Sequence, residues 1–443
     1  MSKRVLITGA GVLSPLGIGL DDFWTAISEH RSGIAPVERL SYTALPSNVG
    51  GECKDIISDK SARGYLTKPQ KKSKKVMCRE ILLGVISANL CIDQSSLDVD
   101  TEGAIDHERL GIEFGANQMF SPPEVLGEGL YATDADGNLT VCNEDGGFHF
   151  DEWGTHGIAS MDPLWLLKYL PNMPACHIGI RADARGPNNS LTLAEASGNS
   201  VLGEAFRIIR NGRADMMLCG STGSRIHAVK CMHAGLWDEL AEYDDDDPST
   251  WCRPFDSSRN GQVAGEGACT FLFEEEDHAK ARGAEVLGTV LGTGSSCVLS
   301  TDGTPDNSAA LANAMSSALR SADIGPSDVG HINAHGLGEN QSDVNEAQAI
   351  KAVFGKAAST VPVTAMKSLL GNSGAACGTL ELAASLVGLK NGVVPATINC
   401  DSPDEDCGLN IVRDEHLPIQ NKLVLNVNVT ANGQAAAMVV CGV

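Results

Sequence analysis

Short runs of consecutive apolar residues, bounded by glycine or polar turns, alternate along the chain with segments of helical period. Residues 4–8, 216–219, 286–291, 361–363 and 423–429 have the pattern of strands buried on both faces. Residues 202–210, 308–322, 343–354 and 379–389 carry apolar side chains at helical spacing. This alternation predicts an α/β protein of packed layers with largely parallel strands. Residues 190–210 read as strand, glycine-containing turn and helix, and 361–389 repeat that order with Gly371, Gly374 and Gly378 in the turn. An internal duplication is therefore expected, with halves at 1–252 and 253–443 and a seam near Trp251 and Pro254. The first half is interrupted by an irregular insertion, about 120–163, rich in Gly, Asp and Pro.

Acidic residues outnumber basic ones by 56 to 33, a net charge of −23 at pH 7. Such a surface argues against nucleic-acid binding, which needs a basic footprint. The longest mostly apolar stretch, 81–92, is broken by Ser87 and Asn89 and falls short of the roughly 18 residues of a membrane span. Residues 1–8 run straight into a strand pattern with no charged leader and apolar core before it, so a cytoplasmic location is expected. The 14 cysteines form no C-x-x-C pair and no metal-ligand spacing, and read as reduced, mostly buried thiols without a metal site.

Two motifs imitate ligand sites. Gly9-Ala10-Gly11 follows a strand but lacks the third glycine and the later acidic residue of a dinucleotide fingerprint, so a tight strand-to-loop turn is expected instead. Asp134-Ala135-Asp136-Gly137 lacks the remaining oxygen ligands of a calcium loop and reads as a plain turn.

More informative is Glu195. The small residues Ala194, Ala196, Ser197 and Gly198 put its side chain at a tight strand-to-helix turn, where free N–H groups and the helix dipole stabilise an anion. A first-turn glutamate is also an ordinary structural residue, and the residues alone leave both readings open. His335 precedes a glycine after a strand pattern, and Lys367 and Asn372 occupy a second glycine-rich loop. If the two halves pack about a pseudo-twofold axis, these loops meet as a polar site.

Over nearly its whole length the chain resembles the β-ketoacyl-acyl-carrier-protein synthases of the thiolase superfamily, nearest to the elongating type. The resemblance runs through 5–17, Leu170-Pro171-Asn172-Met173, Gly186-Pro187-Asn188, Ala196-Ser197-Gly198 and Arg253-Pro254-Phe255-Asp256. It continues through Arg259, Gly265-Glu266-Gly267, Asn333-Ala334-His335-Gly336, Asp343, Glu346 and Lys367-Ser368 with Gly371. It implies a duplicated thiolase-like fold of α-β-α-β-α layers and a dimer acting on or beside acyl thioesters of fatty-acid or polyketide metabolism. The phosphopantetheine would belong to an acyl carrier protein partner, with no cofactor resident in this chain. By position His335 matches the family's first carbonyl-binding histidine, Asn372 matches the second such residue as in the initiating type, and Lys367 matches the supporting lysine.

Glu195 matches the acylated cysteine. A carboxylate attacking a thioester would give a water-labile anhydride, whereas a thiolate gives a stable yet reactive thioester. No cysteine lies between Cys176 and Cys219 to replace it. Three activities then remain: malonyl-thioester decarboxylation, altered acyl-thioester chemistry with Glu195 as general base, and service as a chain-length-factor-like partner of a cysteine-bearing ketosynthase. Two further departures touch the pantetheine path. The family's His-Gly-Thr-Ser-Thr is here His335-Gly336-Leu337-Gly338-Glu339, and Thr430 stands where the family has a gating aromatic. The insertion at 120–163 is expected to serve as a lid or dimer contact.

One basic stretch stands against the acidic background: Arg63, Lys68, Lys71, Lys72, Lys74, Lys75 and Arg79. It reads as a solvated helix face or, as the resemblance implies, a docking patch for the acidic carrier protein.

Overall fold

The strand β1, Val5–Ser14, is buried at every position, and the sheet grows from both of its edges. Four further strands complete a first set: β2 Leu110–Ala116, β3 Asn188–Leu191, β4 Met216–Ser224 and β5 Ala264–Glu275. A second set follows in the same chain order: β6 Gly288–Cys297, β7 His331–Asn333, β8 Pro362–Thr364, β9 Leu423–Val429 and β10 Gln434–Gly442. The spatial order β8-β7-β9-β10-β6-β1-β5-β4-β2-β3 is symmetric about the β6/β1 junction, where Val5–Ile7 pair antiparallel with Val290–Gly288. A two-residue strand, Asn410–Ile411, extends the β8 edge. In each set four strands point the same way, as the apolar runs predict, and one is reversed: β5 is antiparallel to β4 and β1, and β10 to β9 and β6.

Five helices make the layers: α1 Arg79–Gln94, α2 Ser197–Arg210, α3 Asn307–Ala322, α4 Asn340–Phe354 and α5 Cys377–Lys390. Helix α1 packs on β1, β4 and β5, and α3 packs on β6 and β10. Between the two halves of the sheet, α2 touches β2, β4 and β10, while α5 touches β9 and β5. The result is the thiolase-like α-β-α-β-α fold. Composition explains the middle layer: apart from Glu381, α5 is apolar or small and is buried from Cys377 to Leu389, as a helix enclosed all round must be.

The structure, a computed structural model, describes residues 3–443 apart from 41–46, 57, 132, 134–140, 143–146 and 244–246. The candidate calcium turn at 134–137 lies outside the described residues. Within the insertion, Pro123–Leu130 and Phe150–Ser160 are helical and leave Phe150 and Ile158 exposed. No helix among the described residues is long and apolar enough to cross a membrane.

Two expectations need correction. The strand symmetry sets the junction of the repeats between Glu275 and Gly288, beyond the seam near Trp251 and Pro254, because β5 pairs with β1 and β4. Gly9 and Gly11 form no turn: they lie inside β1 against α1, where a Cβ on Gly11 would sit 2.0 Å from the Ser87 carbonyl oxygen. Those glycines admit a helix, not a nucleotide.

The middle layer depends on a second close approach. Gly198 and Gly378, at the starts of α2 and α5, face each other: a Cβ on Gly198 would come 3.3 Å from the Gly378 Cα. A Cβ on Gly378 would lie 2.4 Å from Asn428 Oδ1 and 3.1 Å from the Asn199 nitrogen. Gly378→Ala is expected to destabilise the fold by about 1–3 kcal/mol, the usual cost of overpacking, read as a lower urea midpoint at unchanged slope.

Candidate functional site

The turn between β3 and α2 holds Glu195 at its tip. Ala194 is in the left-handed region at φ 42°, a conformation costing an L residue about 1–2 kcal/mol. The Ser197 hydroxyl pins the turn by accepting the Leu193 N–H at 2.8 Å. Glu195 is buried, and its Oε1 accepts from Arg225 Nη1 at 2.9 Å and from Asn372 Nδ2 at 3.1 Å. Arg225, just past the end of β4, also bonds Asp238 through its other terminal nitrogen. Burial alone would lower the Arg225 pKa; Glu195 and Asp238 more than reverse that, holding it above its ordinary value.

Asn372 reaches this point from the turn between β8 and α5. Its orientation is fixed: Oδ1 accepts the Gly374 N–H at 2.8 Å and the Cys377 thiol at 3.3 Å. The amide nitrogen therefore faces Glu195 Oε1 and Gln262 Oε1, the latter at 2.6 Å. Both of its N–H donors are committed. Cys377, far from Glu195 in the chain, arrives from the other repeat and bonds the same Asn372 side chain. Burial pushes that thiol up to about 11, and it does not line the cavity described below, so it is no replacement nucleophile.

His335 follows β7 on a loop whose backbone is held by two carboxylates of α4. Glu346 accepts the N–H groups of His335 and Gly336 at 2.7 and 2.8 Å, and Asp343 those of Leu337 and Gly338 at 2.9 and 3.1 Å. Burial, then Lys367 and Arg225, push the imidazole well below its usual pKa, so the ring is neutral. Lys367 Nζ lies 3.2 Å from His335 Nδ1 and has only donors to offer, which leaves the ring proton on Nε2.

Lys367 itself is 1% exposed, with Nζ 2.6 Å from Glu381 Oε1 and 2.5 Å from the His335 carbonyl oxygen. Burial lowers its pKa, but the neighbouring Glu381 outweighs that and holds the ammonium above the ordinary lysine range. Asn428 closes the knot, donating to Glu381 Oε2 at 2.7 Å and accepting from Asn199 at 2.8 Å.

A cavity of about 330 Å³ is lined by Glu195, Arg225, Gln262, His335, Glu339 and Thr430, together with Trp237, Asp238 and Glu239. The structure thus joins Glu195 to Asn372 and His335 to Lys367 by hydrogen bonds, and sets Glu195 and His335 on one cavity. Sequence reasoning missed Arg225, Gln262, Glu381 and Asn428. Asn426 and Asn428 alternate along β9, a period-two signal that would place both on one face.

The basic stretch divides. Lys68, Lys71, Lys72 and Lys75 are exposed on the helix Lys68–Ser73 and the turn after it, while Lys74 is half-buried. Arg79 turns inward instead, bonding Glu266 at 2.5 Å and the Cys53 carbonyl at 2.9 Å. A guanidinium committed to a buried carboxylate cannot serve a surface patch.

A duplicated thiolase-like fold with a polar site between its halves defines a class, and comparison with known proteins gives the family. Residues 2–279 match the N-terminal domain of β-ketoacyl synthases, and residues 287–401 match their C-terminal domain. The chain is 31% identical over 413 residues to the 3-oxoacyl-acyl-carrier-protein synthase 2 of Synechocystis, spanning 93% of this chain and 91% of that one. It is also 31% identical over 415 residues to the oxytetracycline polyketide putative β-ketoacyl synthase 1 of Streptomyces rimosus, spanning 93% and 90%. The solved ishigamide ketosynthase/chain length factor superposes with a TM-score of 0.83 at 25% identity over the full length of both chains. A type II polyketide acyl-carrier protein in complex with its ketosynthase does so with a TM-score of 0.82 at 25% identity, again over both full lengths. The chain belongs to the β-ketoacyl synthase family, a family of fatty-acid and polyketide biosynthesis.

Lys367→Met should strand Glu381 as a buried charge and cost about 3–5 kcal/mol. The double variant with Glu381→Met is expected to recover most of that loss in urea unfolding.

Proposed function

We propose that this chain engages a carrier-borne acyl thioester without becoming acylated, as the non-condensing partner of a cysteine-bearing ketosynthase. Glu195 stands where the family has its nucleophilic cysteine. The observation that carries the reading is the commitment of both Asn372 donors, one to Glu195 and one to Gln262. A thioester carbonyl entering the cavity meets an amide already occupied and a carboxylate that offers it no thiolate. His335 Nε2–H remains to hold a carbonyl, since Lys367 occupies the opposite ring nitrogen. Binding is thereby kept while acyl transfer to the protein is lost.

Altered chemistry is the second reading, favoured by the intact His335–Lys367–Glu381 relay. In that role Glu195 would act as a general base on a bound thioester, released from Arg225 as substrate enters. Decarboxylation of a malonyl thioester is less favourable, because the enolate would develop beside a carboxylate.

The carrier protein is expected to dock on Lys68, Lys71, Lys72 and Lys75, with Lys74 at the edge of the patch, its phosphopantetheine arm entering the cavity. The resemblance to a solved carrier–ketosynthase complex supports this partner. The similarity to a solved ketosynthase/chain length factor supports a heterodimer with a cysteine-bearing homologue as the assembly.

Intact-mass analysis after incubation with acyl- and malonyl-carrier protein should show no adduct on the wild type and an acyl adduct on Glu195→Cys. An adduct on the wild type would refute the reading. Charge reversal at Lys68, Lys71, Lys72 and Lys75 should weaken carrier binding at low salt by about tenfold or more, and unchanged affinity would remove the docking patch.

A further inference from the structure

The cavity wall has an unusual balance of charge. Among the described residues, Glu195, Asp238, Glu239 and Glu339 line it against a single guanidinium, Arg225, which is already shared between Glu195 and Asp238. Asn307, which also lines the cavity, has a buried amide oxygen with no hydrogen-bond partner among the described residues. The wall is therefore rich in acceptors and poor in free cations. Trp237 adds an exposed indole beside Asp238 and Glu239, a face that attracts cations and not anions.

Glu339 is wired into the centre of the site. Gln262 Nε2 donates to Glu339 Oε1 at 2.7 Å, which turns the Gln262 carbonyl toward Asn372 at 2.6 Å. From Asn372 the chain of contacts runs to Glu195, Arg225 and Asp238. Each end of the chain is a carboxylate facing the same space. A ligand carrying its own carboxylate would have to approach these groups without a free cation to offset the repulsion.

We propose that the cavity takes acyl thioesters whose acyl group ends in a hydrogen-bond donor, an amine included, and rejects those ending in a carboxylate, with Glu339 the residue that sets the preference. This rests on the cavity's being the thioester pocket, and it deepens that reading by naming the substrate class. It places a malonyl group among the rejected ligands. The preference depends on pH. Burial, opposed by the Gln262 hydrogen bond and reinforced by Asp238 and Glu239, lifts the Glu339 carboxyl to about 7. Asp238 is raised too, by burial against the pull of Arg225. Arg225 also bears on the Glu339 carboxyl, while Arg259 donates to the Glu339 backbone carbonyl oxygen at 3.4 Å. Glu339 is thus charged above that value and loses its charge as pH falls through it, so discrimination is full at pH 8 and narrows toward pH 6.

The test is calorimetric binding of three hydrolysis-resistant pantetheine amides, acetyl, β-alanyl and malonyl, to the full chain at pH 8 and pH 6. The β-alanyl probe should bind at least as tightly as acetyl, and malonyl about tenfold more weakly at pH 8, with a smaller gap at pH 6. E339Q should close the gap at pH 8, and E339D should retain it, which a merely structural role for Glu339 would not produce. Malonyl binding equal to or tighter than acetyl, a gap that survives in E339Q, or no binding by any of the three would overturn the proposal. Carrier binding and the absence of a protein adduct, measured separately, judge the non-acylating function itself.

Discussion

A carboxylate at the tip of a tight strand-to-helix turn, removed from water, must find a cation and donors of its own. Arg225 and Asn372 supply them to Glu195, at 2.9 and 3.1 Å. The contact draws residues from three places in the chain to one point: the turn after β3, the end of β4 and the turn before α5. It also decides what the site has left to give. A donor spent on Glu195 is not available to a thioester, and a guanidinium shared with Asp238 is not available to a substrate carboxylate.

Duplication makes that convergence possible. Because the repeats meet antiparallel at β1 and β6, the equivalent turns ahead of α2 and α5 face each other, and Gly198 and Gly378 let the helix starts approach closely. The buried lysine lies on the second of these turns, and its partners come from the loop after β7 and from α5. Each of these groups would be costly alone in an apolar interior. Together they form a satisfied network, with the His335 loop held by Asp343 and Glu346 and the imidazole kept neutral with its proton directed away from Lys367.

Much of the architecture was legible in the order of residues. Buried strands such as β9 announce themselves as unbroken apolar runs, and the repeated strand, turn and helix around 190–210 and 361–389 revealed the duplication. The glycines of β1 were misread, since a sequence does not say whether a glycine makes room for a turn or for a helix crossing the strand. The seam was set too early because β5 pairs with strands far from it in the chain. In the site, Glu195, His335, Lys367 and Asn372 stood out because polar residues in small, glycine-rich turns are conspicuous. Arg225 and Gln262 did not. Their importance comes from contacts across 30 and 110 residues of chain, and only the packed fold shows which of them touch. Arg79 illustrates the converse: grouped by sequence with surface lysines, it is claimed by a carboxylate on β5.

The most direct test of this account is a double-mutant cycle on the pair at its centre, Glu195→Gln and Arg225→Met, followed by urea unfolding of each single variant and the double. A coupling of about 1–2 kcal/mol is predicted, as expected of contacting groups in one network. Additive losses, agreeing to within about 0.5 kcal/mol, would mean that Arg225 does not hold the Glu195 carboxylate, and would contradict the account.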